Sequence, residues 1–154
     1  MAVSWKNWLV SILGKTGSSR VKRWLLDTHV WVWSQLEPER LGHETQCILM
    51  DMKYSLYLSS VSTLEFARLV QGGRVVLETT VADWVRRAIS QLSLKTVKLS
   101  HSHAIESYAL PPPFHRDPAD RMLVATARLE GLTMLTADQR ILDYPGVSTH
   151  DARR

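Results

Sequence analysis

Arg23-Trp24-Leu25-Leu26-Asp27 is the stretch on which the fold turns. Three apolar side chains in a row, stopped by a carboxylate, show no in–out alternation. Both faces of such a segment are expected to be covered, as in a strand inside a parallel sheet. Outward from it the pattern switches repeatedly. Helices are expected at about 30–35 and 42–52, followed by a second strand in Ser55-Leu56-Tyr57-Leu58-Ser59. A helix over 63–71 is closed by Gly72-Gly73, and another spans 81–91. Thr96-Val97-Lys98-Leu99 reads as a third strand, and a helix over 101–108 is stopped by Pro111-Pro112-Pro113. The clearest helix is 118–130, with Ala119, Met122, Leu123, Thr126 and Leu129 on one face and Gly131 as its cap; a strand over 132–136 and an edge strand over 147–149 follow. Strands separated by helices predict an α/β sandwich around a mainly parallel sheet.

With 154 residues, 45% of them hydrophobic and 22% charged, the chain has the composition of one globular domain, which excludes disorder, collagen and coiled coil. Cys47 is the only cysteine. It leaves no intramolecular disulfide and no cysteine-based zinc cluster, fits a reducing compartment such as the cytoplasm, and is expected to pack as a small apolar group. The formal charge of +4 is unevenly placed: residues 1–23 hold five basic residues and no acid, so the remainder carries fourteen basic against fifteen acidic residues. A nucleic acid could therefore be attracted only by a local site. The chain divides into a basic extension over 1–22 and a domain over 23–150. Within the extension Trp5, Trp8, Leu9, Ile12 and Leu13 fall at helical spacing, and three readings stand: an amphipathic helix for a membrane surface or partner, a fusion remnant, or an upstream start. No apolar run approaches the roughly 20 residues of a membrane-spanning helix.

Four acids occupy one kind of place. Asp27 follows the first strand, Glu65 opens the helix after the second, Asp120 opens the 118–130 helix and Asp138 follows the 132–136 strand. In an open parallel sheet those positions share an edge, where such folds place ligands. Like charges gathered there raise one another's pKa, and a divalent cation reverses the effect. All-oxygen ligands suit Mg²⁺ or Mn²⁺ rather than zinc. Each acid also has a structural explanation. Ser62-Thr63-Leu64-Glu65 matches a capping box, Asp117-Pro118 an N-cap and first turn with Asp120 at the third position, and Asp27 and Asp138 can cap the helices they precede. Capping alone does not demand acids, since Ser, Thr or Asn serve equally.

Leu25-Leu26-Asp27-Thr28-His29-Val30-Trp31, Ser59-x-x-Ser62-x-x-Glu65, His115-Arg116-Asp117-Pro118-Ala119-Asp120-Arg121-Met122-Leu123 and Leu132-Thr133-Met134-Leu135-Thr136-Ala137-Asp138, taken in that order, resemble the PIN-domain ribonucleases, above all the VapC-type toxins of toxin–antitoxin pairs. The likeness covers about residues 23–150; the leading extension departs from it. It implies a PIN-like three-layer sandwich, metal-dependent endoribonuclease activity on RNA with Mg²⁺ or Mn²⁺ as cofactor, a cognate antitoxin as partner, and homodimerisation. By position, the resemblance makes Asp27, Glu65, Asp120 and Asp138 the catalytic set. Asp27 and Asp120 are then direct metal ligands, with Glu65 and Asp138 binding a second ion or orienting water. No nucleophilic side chain is needed, in keeping with the lack of a credible Ser or Cys triad.

Thr28, Thr136 and Asp117 are expected to support the ligating carboxylates from behind, and Arg116 and Arg121 to hold phosphate. His29 and His115 read as hydrogen-bonded structural histidines, His101 and His103 as surface. Trp31 and Trp33 read as core or interface; with Leu36 and the 64–70 helix they are also candidates for a groove that takes the antitoxin. Haloacid-dehalogenase-like phosphatases need an acid where His29 stands, and receiver domains an acidic pair at a different spacing, so neither fits. The remaining alternative is a catalytically silent PIN-like module that binds RNA or protein.

Overall fold

The computed structural model describes residues 21–154; the readings of the extension fall on residues outside them. The elements are β1 (Arg23–Leu26), α1 (Thr28–Leu36), a 3-10 turn (Pro38–Arg40), α2 (His43–Met50), β2 (Ser55–Ser59), α3 (Ser60–Gln71), α4 (Val81–Gln91), β3 (Lys95–Val97), α5 (His101–Ala109), α6 (Pro118–Glu130), β4 (Thr133–Thr136), α7 (Gln139–Leu142) and β5 (Thr149–Asp151). The five strands form one sheet in the order β3-β2-β1-β4-β5, and every pairing is parallel. This is the α/β sandwich that the sequence predicts.

β1 lies at the centre, with Leu25 level with Tyr57 of β2 and Met134 of β4. The two-residue period of a strand divides its apolar run between two cores. Trp24 and Leu26 join Leu58, Leu135, Trp31, Phe66 and Trp84 on one face. Leu25 joins Met134, Leu123, Val124 and Ile141 on the other. In the first core the Phe66 and Trp84 rings stack 4.0 Å apart and Trp31 meets their edges at 5.6 and 5.2 Å. A helix layer on each face explains why β1 carries no polar residue after the exposed Arg23 that opens it.

Several local expectations are corrected. Helix α3 starts at Ser60, because the Ser59 hydroxyl caps it by accepting from Val61 N, so Glu65 stands in the second turn and Ser62–Glu65 is no capping box. Cys47 is exposed, 3.7 Å from His43 Nε2, since it falls on the outer face of α2 between the buried Thr45 and Ile48. His103 is buried rather than on the surface: its ring accepts from Ser100 N, in a capping box for α5, and its Nε2 lies 3.0 Å from Glu130. Trp31 is fully buried and cannot line a groove. The last strand lies at Thr149–Asp151, two residues beyond its expected start. Among the described residues no helix is long and apolar enough to cross a membrane.

The end of the chain is held at the start of α2. Gly42 N donates to Ala152 O at 2.9 Å and Thr45 N to Arg154 O at 3.0 Å. A Cβ on Gly42 would lie 2.0 Å from the Arg154 carbonyl carbon. Gly42→Ala is therefore expected to expel residues 152–154 from this seat and cost about 1–3 kcal/mol, read as a lower Tm with faster amide exchange at Thr45. An unchanged Tm would refute the seat's contribution.

Candidate active site

The strand order reverses between β1 and β4: β2 and β3 continue on one side, β5 on the other. Loops leaving the carboxyl ends of two such strands diverge, and the crevice between them is where open α/β sheets bind ligands. Asp27 leaves β1 there and Asp138 leaves β4. The crevice floor is stitched across the two strands. Asp27 N donates to Leu135 O at 3.0 Å, Thr136 Oγ1 donates to Asp27 Oδ2 at 2.7 Å, and Ala137 N donates to His29 Nε2 at 2.9 Å.

Asp27 is only 3% exposed. It caps α1, with Oδ1 accepting from Thr28 N at 2.7 Å, while Thr136 fixes the other oxygen. The cap and the contact with the neighbouring strand are thus both made by one side chain. The Thr28 hydroxyl hydrogen-bonds the Glu65 carboxylate and lies 2.9 Å from Ser62 Oγ, so α1 and α3 present Asp27 and Glu65 together. Burial, and then the charges of Asp27 and Asp117, push the Glu65 carboxyl above its usual value, against the pull of the Thr28 hydroxyl.

Asp120 enters from the first turn of α6, whose N-cap Asp117 accepts from Ala119 N at 3.0 Å and Asp120 N at 3.2 Å. Its carboxyl is pushed up to about 7, by burial first and then by the charges of Asp27, Asp117, Asp138 and Glu65. The other three sequence-predicted acids thus all act on Asp120 at this edge, although Arg140 Nη2 and His115 Nε2 each stand 3.4 Å from Asp120 Oδ2. Asp138 behaves oppositely. Arg140 grips it as a fork, Nε to Oδ1 at 3.1 Å and Nη2 to Oδ2 at 2.6 Å, and holds its carboxyl below the usual range.

Arg140 escaped the sequence reading, and His115, read there as a hydrogen-bonded structural histidine, stands in this cluster. His115, Asp120 and Asp138 each offer a ligand atom within 4.8 Å of the others. His115 Nε2 is buried without a hydrogen-bond partner, and burial, then Arg140, holds the imidazole below its usual value, in its neutral form. The only signal for it was its place five residues ahead of Asp120. Arg140 stands two residues after Asp138, too close in sequence to suggest a pairing without the α7 turn. The arginines proposed for phosphate separate. Arg121 donates to the main-chain carbonyls of Ser107, Phe114 and His115 at 2.7, 3.3 and 3.0 Å, pinning the loop that carries His115. Arg116 is exposed and makes no hydrogen bond among the described residues.

The donor set suits a divalent cation. Asp120 and Asp138 stand within 4.8 Å of His115, burial and the charges of the neighbouring acids keep Asp120 protonated up to about pH 7, and the imidazole nitrogen beside them is unpartnered.

The sequence matches the family model described as PIN domain over residues 24–147. Over 120 residues it is 33% identical to ribonuclease VapC22 of Mycobacterium tuberculosis, covering 78% of this chain and 90% of that protein. Among solved structures it is similar to VapBC2 of Rickettsia felis bound to a promoter DNA fragment, with a TM-score of 0.61 and 14% identity over 83% of this chain and 97% of that one. It is likewise similar to DNA-bound VapBC of Salmonella typhimurium, with a TM-score of 0.58 and 19% identity over 84% and 98%.

Proposed function

The chain belongs to the PIN domain family, and from that premise we propose that it is a Mg²⁺- or Mn²⁺-dependent endoribonuclease, the toxin of a toxin–antitoxin pair acting in the cytoplasm. Its partners are then an RNA substrate, a cognate antitoxin and a second copy of the chain. The observation that carries the reading is the meeting of Asp27, Glu65, Asp120 and Asp138 at the switch point of the sheet, where Asp120 is held protonated up to about pH 7 by the other acids and by burial. A fold that needed only helix caps has no reason to gather acids there that raise the Asp120 carboxyl so far.

Asp27 and Asp120 are the proposed primary metal ligands, with Asp138 and Glu65 beside them and His115 Nε2 as a neutral donor within reach of Asp120 and Asp138. A bound divalent cation supplies the charge that lets an anionic phosphodiester approach carboxylates, acidifies water and stabilises a leaving oxygen. The protein's own groups prepare for this. Thr136 donates to one Asp27 oxygen and Thr28 N to the other, fixing the carboxylate plane, while the Thr28 hydroxyl orients Glu65. Arg140 neutralises Asp138 at the outer edge, and the exposed Arg116 is the proposed phosphate contact. The sequence-based pairing of Arg121 with phosphate is replaced in this reading by a positioning role for the His115 loop.

Purified protein incubated with mixed single-stranded RNA is expected to cleave it with Mg²⁺ or Mn²⁺ and to stop with EDTA. Expression alone is expected to arrest growth, and co-expression with the adjacent small gene to restore it. Cleavage that persists in EDTA would sink the metal reading; normal growth on expression alone would sink the toxin reading and leave the nuclease.

A further inference from the structure

Beside the acidic edge lies a cavity of about 680 Å³, within the roughly 300–1,000 Å³ of small-molecule sites. Its apolar wall includes Pro113, Phe114 and Tyr144, its cationic rim Arg116 and Arg140, and it shares His115 and Arg140 with the acidic cluster. Phe114 is held from several sides: its ring centroid lies 4.6 Å from Tyr144, 4.4 Å from His115 and 5.8 Å from the Arg121 guanidinium. Tyr144 is in turn fixed by its hydroxyl, which donates to Pro111 O at 2.8 Å. The lining also holds one acid, Asp143, which accepts from Gln139 Nε2 at 2.7 Å.

The chemistry of this lining selects its occupant. An aromatic wall fixed in place takes a flat ring, and guanidinium groups at the rim take an anion; a nucleotide combines the two. Arg140 stands where the cavity meets the acids and covers Asp138 with both arms of its fork. A phosphate approaching the acidic cluster from this side is therefore met by the Arg140 guanidinium before Asp138. The overall charge of the domain gives no such attraction, so the local arrangement has to supply it.

We infer that this cavity is a subsite for one nucleotide of single-stranded RNA next to the cleaved bond, with its base against Phe114 and its phosphate on Arg116. The inference rests on the nuclease reading for its orientation toward the acids, but its binding chemistry is testable separately. In duplex RNA the bases are paired and stacked, and none is available to fill the cavity.

The test uses fluorescence anisotropy of a short fluorescein-labelled single-stranded RNA of mixed sequence, with Asp27→Asn protein so that nothing is cut. Phe114→Leu, which keeps the bulk and removes the aromatic face, is expected to weaken binding about 10-fold with an unchanged salt slope. Arg116→Ala, at an exposed position that the fold does not use, is expected to weaken binding roughly 3- to 10-fold. It should also flatten the slope of log affinity against log salt by about 0.7. Arg74→Ala, on the exposed loop after α3, serves as the control and should change affinity less than about two-fold. In cleavage-competent protein the same two subsite changes should raise KM more than they lower kcat.

If RNA is cleaved but both subsite variants leave affinity and KM within about two-fold, the subsite falls and the nuclease reading stands. If the subsite variants weaken binding as stated but no divalent cation supports cleavage, the nuclease reading falls and the subsite stands. Equal binding of duplex RNA, or variants that lose the antitoxin while binding RNA normally, would reassign the cavity and overturn the inference.

Discussion

Asp27→Asn is expected to lower RNA cleavage at least about 100-fold while leaving the fold in place. The geometry explains why the change is conservative for structure. An Asn side chain can keep its oxygen toward Thr28 N, preserving the cap of α1, and turn its amide toward Thr136 Oγ1. That hydroxyl already accepts from Asp138 N at 3.0 Å and gives up only its own donation to Asp27. The cap is retained and the loss is about 1 kcal/mol or less. What disappears is the negative charge of the most buried acid, on which the proposed cation depends. Far-ultraviolet circular dichroism and Tm check the fold, and cleavage of labelled RNA in Mn²⁺ checks the activity. Equal cleavage by the variant would show that the nuclease in the preparation is something else. Asp27→Ala is a poorer probe, since it removes the cap and orphans Thr28 N and the Thr136 hydroxyl at once.

The same residue shows how far a sequence can be read. Asp27 is a helix cap, and that role does not compete with a place at the ligand edge. The end of a parallel strand places a residue at the helix N-terminus and at the ligand edge simultaneously. Strand β1 was legible because burial on both faces writes itself as an unbroken apolar run. Helices α4 and α6 were legible because Thr80 and Asp117 cap them by local chemistry. Helix α3 was misplaced by three residues because two serines, Ser59 and Ser62, fit a cap equally well in sequence; only the turn leaving β2 selects Ser59. His103 and Cys47 exchange their expected surroundings for a related reason. Which face of a short helix is covered depends on the neighbour it packs against, and α5 packs its His103 toward Glu130 of α6.

The parts of the site that sequence could not give are those made by tertiary approach. Arg140 and His115 are ordinary until α7 and the loop before α6 bring them within 3.4 Å of Asp120. Arg121, adjacent to Asp120 and of the right charge for phosphate, is drawn instead to three main-chain carbonyls. Proximity in the chain predicted the charge of the neighbourhood correctly and its division of labour incorrectly. The arginine that touches the acids, Arg140, lies twenty positions beyond Asp120.

The unequal treatment of the acids has a measurable consequence for stability. Asp120 keeps its proton in the folded chain up to about pH 7, against an ordinary value of 3.8. Over that interval the folded state binds more protons than the unfolded one, so raising the pH favours unfolding. Glu65, also raised, adds in the same direction. Asp138 and Asp151 are lowered by their arginines, and their contribution is lost only in acid, as pH falls through their ordinary value of 3.8 and below. His115, held below its ordinary value of 6.5, opposes this with a smaller gain as pH rises. In chelator the protein is therefore expected to be most stable near pH 4–5 and to lose stability up to pH 7–8, by roughly 4 kcal/mol at most for Asp120 before the His115 offset. A Mn²⁺ or Mg²⁺ ion held as proposed would take the place of that proton, so adding either should raise Tm strongly at pH 8 and little at pH 5, where it must displace the proton. Asp120→Asn should flatten the pH dependence in chelator and raise Tm at pH 8 while losing cleavage, a gain in stability obtained by disarming the site. Thermal melts at pH 5 and 8, with EDTA and with Mn²⁺, decide the matter. A chelated protein that grows more stable from pH 5 to 8, or a cation effect equal at both, would mean that Asp120 carries no excess proton and that the acids do not form one electrostatic unit.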